Sequence, residues 1–300
     1  MVPRRIVVAM TSIALLLTAM VTPAAAAGPA RTPPPMERVS GGERPLTPQE
    51  RALSDRKVAA AEAYVASVRA AGGGLSTLAC VTPNGAPDVD TAGDPTTTST
   101  CYVPSGFLPV QARNQLKSTY CGPAVGQIIA NYAWAMKSNT NKYSQDTIAT
   151  WMLTNQYGLT NAPELAAGLQ KATVSSPRFP ANFAWGALDM RDRSGNGNIG
   201  DELQDYVRAA VSGWKMPLAI PVKPHNKYSD FNLSSWPNPV ASPGHWITAY
   251  GWYSYWTGPT LPRIYYADSS KNYGGGTGTY WDRTSTIANL IAEHTKRIVW

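Results

Sequence analysis

The stretch Gln115-Leu-Lys-Ser-Thr-Tyr-Cys-Gly-Pro-Ala-Val-Gly-Gln127 contains a cysteine, Cys121, that directly precedes a Gly-Pro pair. The apolar run 124–136 that follows has the spacing of a helix. Pro123 suits the first turn of such a helix, because the N–H that proline lacks would have no partner there. The pattern therefore predicts a buried helix that begins at or beside Cys121. Its expected buried stripe consists of Ile128, Ile129, Tyr132 and Met136.

A thiol at the start of a helix faces backbone N–H groups without helical partners, and it lies at the positive end of the helix dipole. Both features favour the thiolate, which is the nucleophilic form of cysteine. Gln115, six residues upstream, can return its side-chain amide to the same place, where an oxyanion would develop. We interpret Cys121 as a nucleophile and Gln115 as an oxyanion donor; the alternative is a buried structural cysteine near a helix start.

The number of cysteines supports this interpretation of Cys121. The chain has three cysteines, and Cys80 and Cys101 bracket a polar stretch, 81–100, that reads as a surface loop whose ends can meet. In an exported protein such a pair is expected to form a disulfide, and it would stabilise the fold by roughly 3 kcal/mol through loop closure. Cys121 is then the unpaired cysteine, which in an exported protein is either buried and inert or kept for its reactivity.

The first 27 residues have the pattern of a secretory signal peptide. Arg4 and Arg5 precede an apolar core, 6–20, and small residues at 24–27 provide a cleavage site. Removal of these residues lowers the formal net charge from +7 to +5, because two arginines are lost. The remaining charge forms no basic block, which argues against a nucleic-acid partner. We expect a secreted, extracellular protein with no transmembrane segment in the mature chain.

Three regions are expected along the chain: the signal peptide 1–27, a leader 28–74, and a domain 75–300. The leader begins with Pro-rich sequence and continues with a capping box, Thr47-Pro-Gln-Glu50, that should start a helix running to about Ala71. This helix is rich in alanine and can be a cleavable pro-segment or a spacer. A helix packed on the surface of the domain is an equally good interpretation.

Helices come first in the domain and strands come later, which predicts an α+β fold with an antiparallel sheet. After the helix at Cys121, further helices are expected at 144–155, 161–171, 201–214 and 284–294. Short β-branched or aromatic segments that predict strands lie at 217–222, 246–252, 263–267, 279–281 and 297–300.

One segment resembles the beginning of a calcium-binding loop. Asp192, Ser194 and Asn196 place oxygen ligands at alternate positions before a glycine. The twelfth position, where such a loop needs a bidentate carboxylate, is occupied by Leu203, and Glu202 comes one residue early. We therefore regard these three residues only as a weak calcium candidate, expect a turn that enters a helix, and predict neither a metal nor a cofactor.

Three histidines are candidates for a general base. His225 lies in a polar loop, and His294 closes a predicted helix, where the dipole favours a positive charge and a structural role. His245 follows a glycine at the beginning of a predicted buried strand, which gives the imidazole the rigid placement that a base requires. The next strand ends in Asp268. If these strands pair, Asp268 can accept from one ring nitrogen and hold the other toward Cys121.

Taken together, these motifs resemble the papain-like cysteine peptidases. The pattern is Gln-x5-Cys-Gly-Pro-Ala, then Gly-His before an apolar strand that ends in Gly-Trp, then a strand that ends in Asp; it covers about Pro109 to Ser270. Within that group the chain is most similar to the bacteriocin-processing, double-glycine leader peptidases and their secreted stand-alone relatives. The resemblance implies that Gln115 is the oxyanion donor, Cys121 the nucleophile, His245 the general base and acid, and Asp268 the residue that orients the histidine. Ser269 departs from the family, which usually has proline after the aspartate.

The sequence therefore predicts a papain-like α+β peptidase that hydrolyses peptide or isopeptide bonds through an acyl-enzyme. The substrate would be a peptide or protein, including cell-wall peptide, and we expect a monomer. Acyl transfer to an amine, or amidase action on cell-wall peptides, would use the same site. A non-catalytic domain that binds peptide or glycan through its ten tryptophans and fifteen tyrosines is the remaining alternative.

Overall fold

The computed structural model describes residues 43–68, 70, 105–154, 160–192, 199–224, 231–236, 244–253, 262–270 and 275–300, all within one compact unit, Gly41–Trp300. The signal peptide, Cys80, Cys101, Ser194, Asn196 and His225 lie outside these residues, so the expectations for them stay predictions. The described helices are α1 (Pro48–Val68), α2 (Cys121–Ala133), α3 (Gln145–Trp151), α4 (Ala162–Thr173), α5 (Gly200–Arg208) and α6 (Thr284–Ala292). The strands are β1 (Gly106–Phe107), β2 (Ala187–Asp189), β3 (Leu218–Val222), β4 (His245–Tyr253), β5 (Arg263–Ser269), β6 (Thr277–Arg283) and β7 (Arg297–Val299).

Helix α2 begins at Cys121 as predicted, and it is more deeply buried than one apolar stripe would require. Every residue from Gly122 to Ala133 is buried. Two polar side chains inside it are satisfied: the Gln127 amide donates to the Tyr143 carbonyl at 2.7 Å, and the Asn131 amide donates to the Asn141 side chain at 2.8 Å. Because buried polar groups are tolerated only when they are hydrogen-bonded, these contacts allow α2 to serve as the central helix of the domain.

The sheet is antiparallel at every described pairing, with the strand order β2-β7-β3-β4-β5-β6 and β1 paired to the far part of β4. Strands β3 and β5 flank β4, which is buried along almost its whole length. Helix α2 packs on this central region and also contacts α3 and α4. Helices followed by an antiparallel sheet form the α+β architecture that the sequence predicts, and the fold-class prediction is confirmed.

The close approach of α3 to its neighbours depends on two glycines. A Cβ atom on Gly126 of α2 or on Gly168 of α4 would overlap the Met152 side chain, which follows α3 and is itself fully buried. Their missing side chains let one methionine fill the space between three helices, because a flexible thioether adapts to irregular gaps.

Helix α1 belongs to the same compact unit as the sheet. It buries Ser54, Val58, Ala61 and Val65. Just before it, the Glu43 carboxylate accepts from the Ala162 N–H at the start of α4 at 2.8 Å and from Arg297 of β7 at 2.9 Å. The structure therefore shows a helix packed on the domain; whether it is later cleaved as a pro-segment remains a prediction.

Several element boundaries differ from the sequence-based ones. The predicted helix 201–214 is α-helical only to Arg208 and continues as a π-helix over Ala209–Trp214. Strand β2 was not predicted, since three residues are too few to show a period, and it forms only by pairing with β7. Among the described residues, no helix is both long enough and apolar enough to cross a membrane.

Candidate active site

Cys121 occupies the first position of α2 with its side chain partly exposed. It is a free cysteine. The preceding residue, Tyr120, provides no side-chain cap, and its carbonyl accepts from the Ala124 N–H at 2.8 Å. Since the first N–H groups of a helix lack helical partners, the thiol lies where anionic species are stabilised. Partial exposure also leaves the sulfur open to an approaching substrate.

His245 and Asp268 meet because β4 and β5 are antiparallel neighbours. Thr248 pairs with Ala267, so the beginning of β4 lies beside the end of β5, and His245 and Asp268 lie on one face of the sheet. Nε2 of His245 lies 2.8 Å from Oδ1 of Asp268. The Cys121 side chain also lies close enough to the imidazole to contribute to its raised pKa. With Nε2 engaged by the carboxylate, Nδ1 is the ring nitrogen that faces the sulfur. The three residues that the sequence singled out are thus in contact.

The electrostatics of this pair favour an imidazolium against a carboxylate. Burial lowers the pKa of His245, but the charge and hydrogen bond of Asp268, together with Cys121, outweigh it and raise the pKa to about 10. Burial likewise raises the pKa of Asp268, yet its contacts with His245, Ser235 and Ser270 outweigh that effect and leave the pKa below its ordinary value. The two shifts have opposite signs and both favour the charged form of the group, as expected for a buried ion pair.

Asp268 has further hydrogen-bond donors that sequence reasoning missed. Oδ2 accepts from the Ser235 hydroxyl at 2.7 Å and from the Trp236 indole at 3.1 Å, and Oδ1 accepts from the Ser270 N–H at 3.0 Å. The Trp236 ring also packs against the His245 ring, with centroids 5.2 Å apart. Ser235 and Trp236 belong to a short irregular segment, 231–236. No local pattern shows that its last residues reach a carboxylate in β5.

Gln115 lies in the loop just before α2, held by the end of β5. Its N–H donates to the Ser269 carbonyl at 2.9 Å, and its side-chain oxygen accepts from the Ser269 hydroxyl at 3.3 Å. The amide nitrogen donates to the carbonyls of Lys117 and Ser118 at 3.2 and 3.3 Å. Ser269, where the resembled family has proline, thus sets the direction of the Gln115 amide. Both amide contacts are long, and such contacts commonly rearrange when a substrate binds.

The other candidate residues do not join this site as catalytic groups. His294 packs against Gly244, and burial first, then the charges of Lys223 and His245, lower its pKa to about 4. It is therefore neutral near pH 7, so a favourable interaction with the helix dipole is not what stabilises it there. Of the calcium candidates only Asp192 is described, and no cluster of three or more potential metal-ligating side chains occurs within the described residues.

Gly275 is expected to be intolerant of a side chain. A Cβ there would lie 2.5 Å from Nε1 of Trp236 and would overlap the Ser270 hydroxyl, and both residues donate to Asp268. We expect Gly275→Ala to lower kcat roughly tenfold or more, because displacing an orienting group by a fraction of an ångström misaligns the reacting atoms. Gly278→Ala, in which the added Cβ would make only ordinary contacts at 3.4 Å, is the matched control. Equal activity of the two variants would contradict the role of Trp236 and Ser270 in orienting Asp268.

Gln115→Ala is expected to lower kcat by roughly a hundredfold with little change in KM, since an oxyanion donor acts mainly in the transition state. Steady-state kinetics on a substrate that the wild-type protein turns over measure both constants. Gln111→Ala removes an exposed glutamine four residues upstream and should leave both constants unchanged. A rise in KM alone would show that Gln115 binds substrate rather than stabilising an oxyanion.

No family model and no curated protein sequence matches the chain. Among solved structures it is similar to papain-like cysteine proteases. For bromelain from Ananas comosus in complex with the E64 inhibitor, the TM-score is 0.36 at 13% identity, covering 63% of this chain and 92% of that chain. For a recombinant stem bromelain precursor, the TM-score is 0.36 at 12% identity, with 63% and 65% covered. A chain from a study of the mite allergens Blo t 1 and Der p 1 gives 0.38 at 11% identity, with 86% and 95% covered.

Proposed function

We propose that this chain is an exported papain-like cysteine peptidase that hydrolyses peptide or isopeptide bonds through an acyl-enzyme. The supporting observation is the placement of His245 between the Cys121 thiol and the Asp268 carboxylate, with a distance of 2.8 Å to the carboxylate. A nucleophile, a base in contact with it, and a third group that orients the base are the elements of nucleophilic catalysis.

Each residue has a definite role in this mechanism. The Cys121 proton passes to Nδ1 of His245, and the thiolate attacks the carbonyl carbon of the scissile amide. The oxyanion is stabilised by N–H groups at the start of α2 and by the Gln115 amide. His245 then donates the proton to the leaving amine, which departs and leaves a thioester on Cys121. Finally His245 takes a proton from water, the hydroxide attacks the thioester, and the acid product and the thiol are released.

The site has the burial that this chemistry requires. His245 is 3% exposed and Asp268 is fully buried, whereas Cys121 is only partly buried. Because the His245–Asp268 pair is buried, its electrostatic effect on the sulfur is stronger than it would be in water. The partly exposed sulfur remains accessible to a substrate. The signal-peptide pattern of residues 1–27 supports export, and the absence of a basic block argues for a peptide rather than a nucleic-acid substrate.

The test is to incubate the protein lacking residues 1–27 with a mixed peptide library and with a cell-wall preparation, in parallel with Cys121→Ala. New peptide termini that appear only with the wild-type protein would support a peptidase. An acyl group transferred to an added amine would identify a transferase that uses the same residues. Binding of peptide or glycan equally by both proteins, without new products, would favour a non-catalytic domain and contradict the proposal.

Alkylation of Cys121 provides a second test that needs no substrate. We expect iodoacetamide to modify Cys121 near neutral pH much faster than free cysteine, because the helix start and the imidazolium both favour the thiolate. Mass spectrometry of digested protein gives the rate at this residue. An ordinary rate in the folded protein would remove the basis for calling Cys121 a nucleophile.

A further inference from the structure

A chain of buried hydrogen bonds continues behind the Asp268 carboxylate. The Ser235 hydroxyl donates to Oδ2 of Asp268 at 2.7 Å and lies 3.2 Å from the Tyr266 hydroxyl. The Tyr266 hydroxyl donates to Oδ2 of Asp282 at 2.7 Å. The Ser234 N–H donates to the same oxygen of Asp282 at 2.9 Å. One connected network thus runs from the imidazole to a second carboxylate in β6.

The side chains that connect Asp268 to Asp282 are shielded from water, whereas Ser234 lies at the surface. Asp268 and Tyr266 are fully buried, Ser235 is 1% exposed and Asp282 is 8% exposed. Polar groups at such depth are costly unless each is hydrogen-bonded. The contacts therefore fix the segment 231–236 against β5 and β6.

The number of hydroxyl hydrogens in the network decides which acceptor each hydroxyl binds. Tyr266 has one hydroxyl hydrogen, and the short contact assigns it to Asp282. The Tyr266 oxygen then accepts from the Ser235 N–H at 3.3 Å. The single Ser235 hydroxyl hydrogen has two possible acceptors, and the carboxylate at 2.7 Å is both closer and more strongly accepting than the phenol at 3.2 Å. Asp282 thus accepts the hydroxyl hydrogen of Tyr266, and the hydroxyl hydrogen of Ser235 remains available to Asp268.

We propose that Ser235 is a positioning residue for the Cys121–His245–Asp268 site, held in place by Tyr266 and Asp282. The Ser235 hydroxyl binds Oδ2 of Asp268, so that Oδ1 remains directed at Nε2 of His245, and it stabilises the carboxylate in its ionised form. This inference rests on the proposed function for its catalytic consequence. The hydrogen bonds themselves are independent of whether the chain cleaves peptides.

Other ionisable groups also act on this pair and enter the interpretation of any titration. Cys121 from α2, Asp268 from β5 and His294 after α6 face His245. Tyr280 of β6 lies close enough to Asp268 for its own pKa to be raised, by burial first and then by the carboxylate. A variant that alters none of these groups isolates the effect of Ser235.

Ser235→Ala removes the hydroxyl without adding volume. We expect the pKa of His245, followed by NMR of its imidazole in the whole protein, to fall by about one unit, because Oδ1 of Asp268 is no longer held toward Nε2 and the carboxylate charge then stabilises the imidazolium less. Tyr266→Phe removes the anchor and should produce a smaller fall in the same direction. Thr248→Val is the matched control, since the Thr248 hydroxyl is fully buried in β4 and has no hydrogen-bond partner among the described residues; the His245 titration should be unchanged.

The outcomes separate this inference from the proposed function. An unchanged His245 pKa in folded Ser235→Ala and in Tyr266→Phe would overturn the positioning role, whatever the wild-type activity. A lowered pKa in a protein that cleaves no peptide would support the positioning role and contradict the peptidase. If Ser235→Ala does not fold, Tyr266→Phe decides, and an equal shift in Thr248→Val would reveal a general effect of core substitution and overturn the inference.

Discussion

Cys121→Ala and His245→Ala are each expected to reduce kcat by on the order of 10⁴- to 10⁶-fold, and the double variant should lose little more than either one. The reason is that the thiol and the imidazole act as one unit, so removing either one already abolishes the proton transfer that both need. Steady-state kinetics on the peptide that the wild-type protein cleaves fastest provide the measurement. Far-ultraviolet circular dichroism would verify that each variant is folded.

His225→Ala serves as the matched control, because sequence reasoning places His225 in a polar loop apart from the catalytic pattern. It should retain wild-type kcat. Loss of activity in His225→Ala together with full activity in His245→Ala would mean that the base has been assigned to the wrong histidine. Asp268 would then have no catalytic reason for its contact with His245.

The pH dependence of catalysis should show a basic limb far above the ordinary histidine value of 6.5, because the pKa of His245 is raised to about 10. Activity requires the imidazolium that accompanies the thiolate, so kcat/KM should be lost only as pH rises through that value. In Asp268→Asn the carboxylate charge is absent, and burial, which lowers the pKa of His245, is no longer opposed by it. We expect the basic limb to move to lower pH and kcat to fall, and an unchanged limb would contradict the ion pair.

The same shifts determine how the pair contributes to stability. The raised pKa of His245 contributes its full stabilisation of the folded state at pH values below the unfolded pKa of 6.5. That contribution is lost as pH rises through about 10. The lowered pKa of Asp268 stabilises above its ordinary 3.8 and is lost as pH falls through the folded value. Urea unfolding should show the difference in unfolding free energy between wild type and His245→Gln shrinking between pH 6.5 and 10. A pH-independent difference would indicate a contribution from packing alone.

Ser269, which stands where the resembled family usually has proline, links the site to the rest of the fold. The backbone carbonyl and the hydroxyl of Ser269 both engage Gln115, although 154 residues separate them in the chain. The loop before α2 is thereby tied to the end of β5, the strand that carries Asp268. Helix α2, which begins at Cys121, and strand β5, which carries Asp268, are consequently held in one arrangement.

Local sequence determined the elements on which the site stands. A helical period after a Gly-Pro pair identified the start of α2, since proline is compatible with a first turn and apolar spacing reports burial along a continuous segment. The helix expected at 144–155 is α3, and the side chain of Ser144 caps it by accepting from the Thr147 N–H. The three catalytic candidates could be chosen because reactive residue types are few and each occurred at the end of a predicted element: Cys121, His245 and Asp268.

Only the tertiary structure decided how these residues meet and what supports them. The 2.8 Å contact between His245 and Asp268 depends on antiparallel pairing of β4 and β5, and periodicity within a strand does not specify its neighbour. Ser235 and Trp236 reach Asp268 from a short irregular segment that has no pattern of its own. Local sequence reports which side of a segment is buried, whereas contacts across long separations depend on how the whole chain packs. That is why the position of Cys121 at the start of α2 could be predicted from its neighbours in sequence, and the residues behind the Asp268 carboxylate could not.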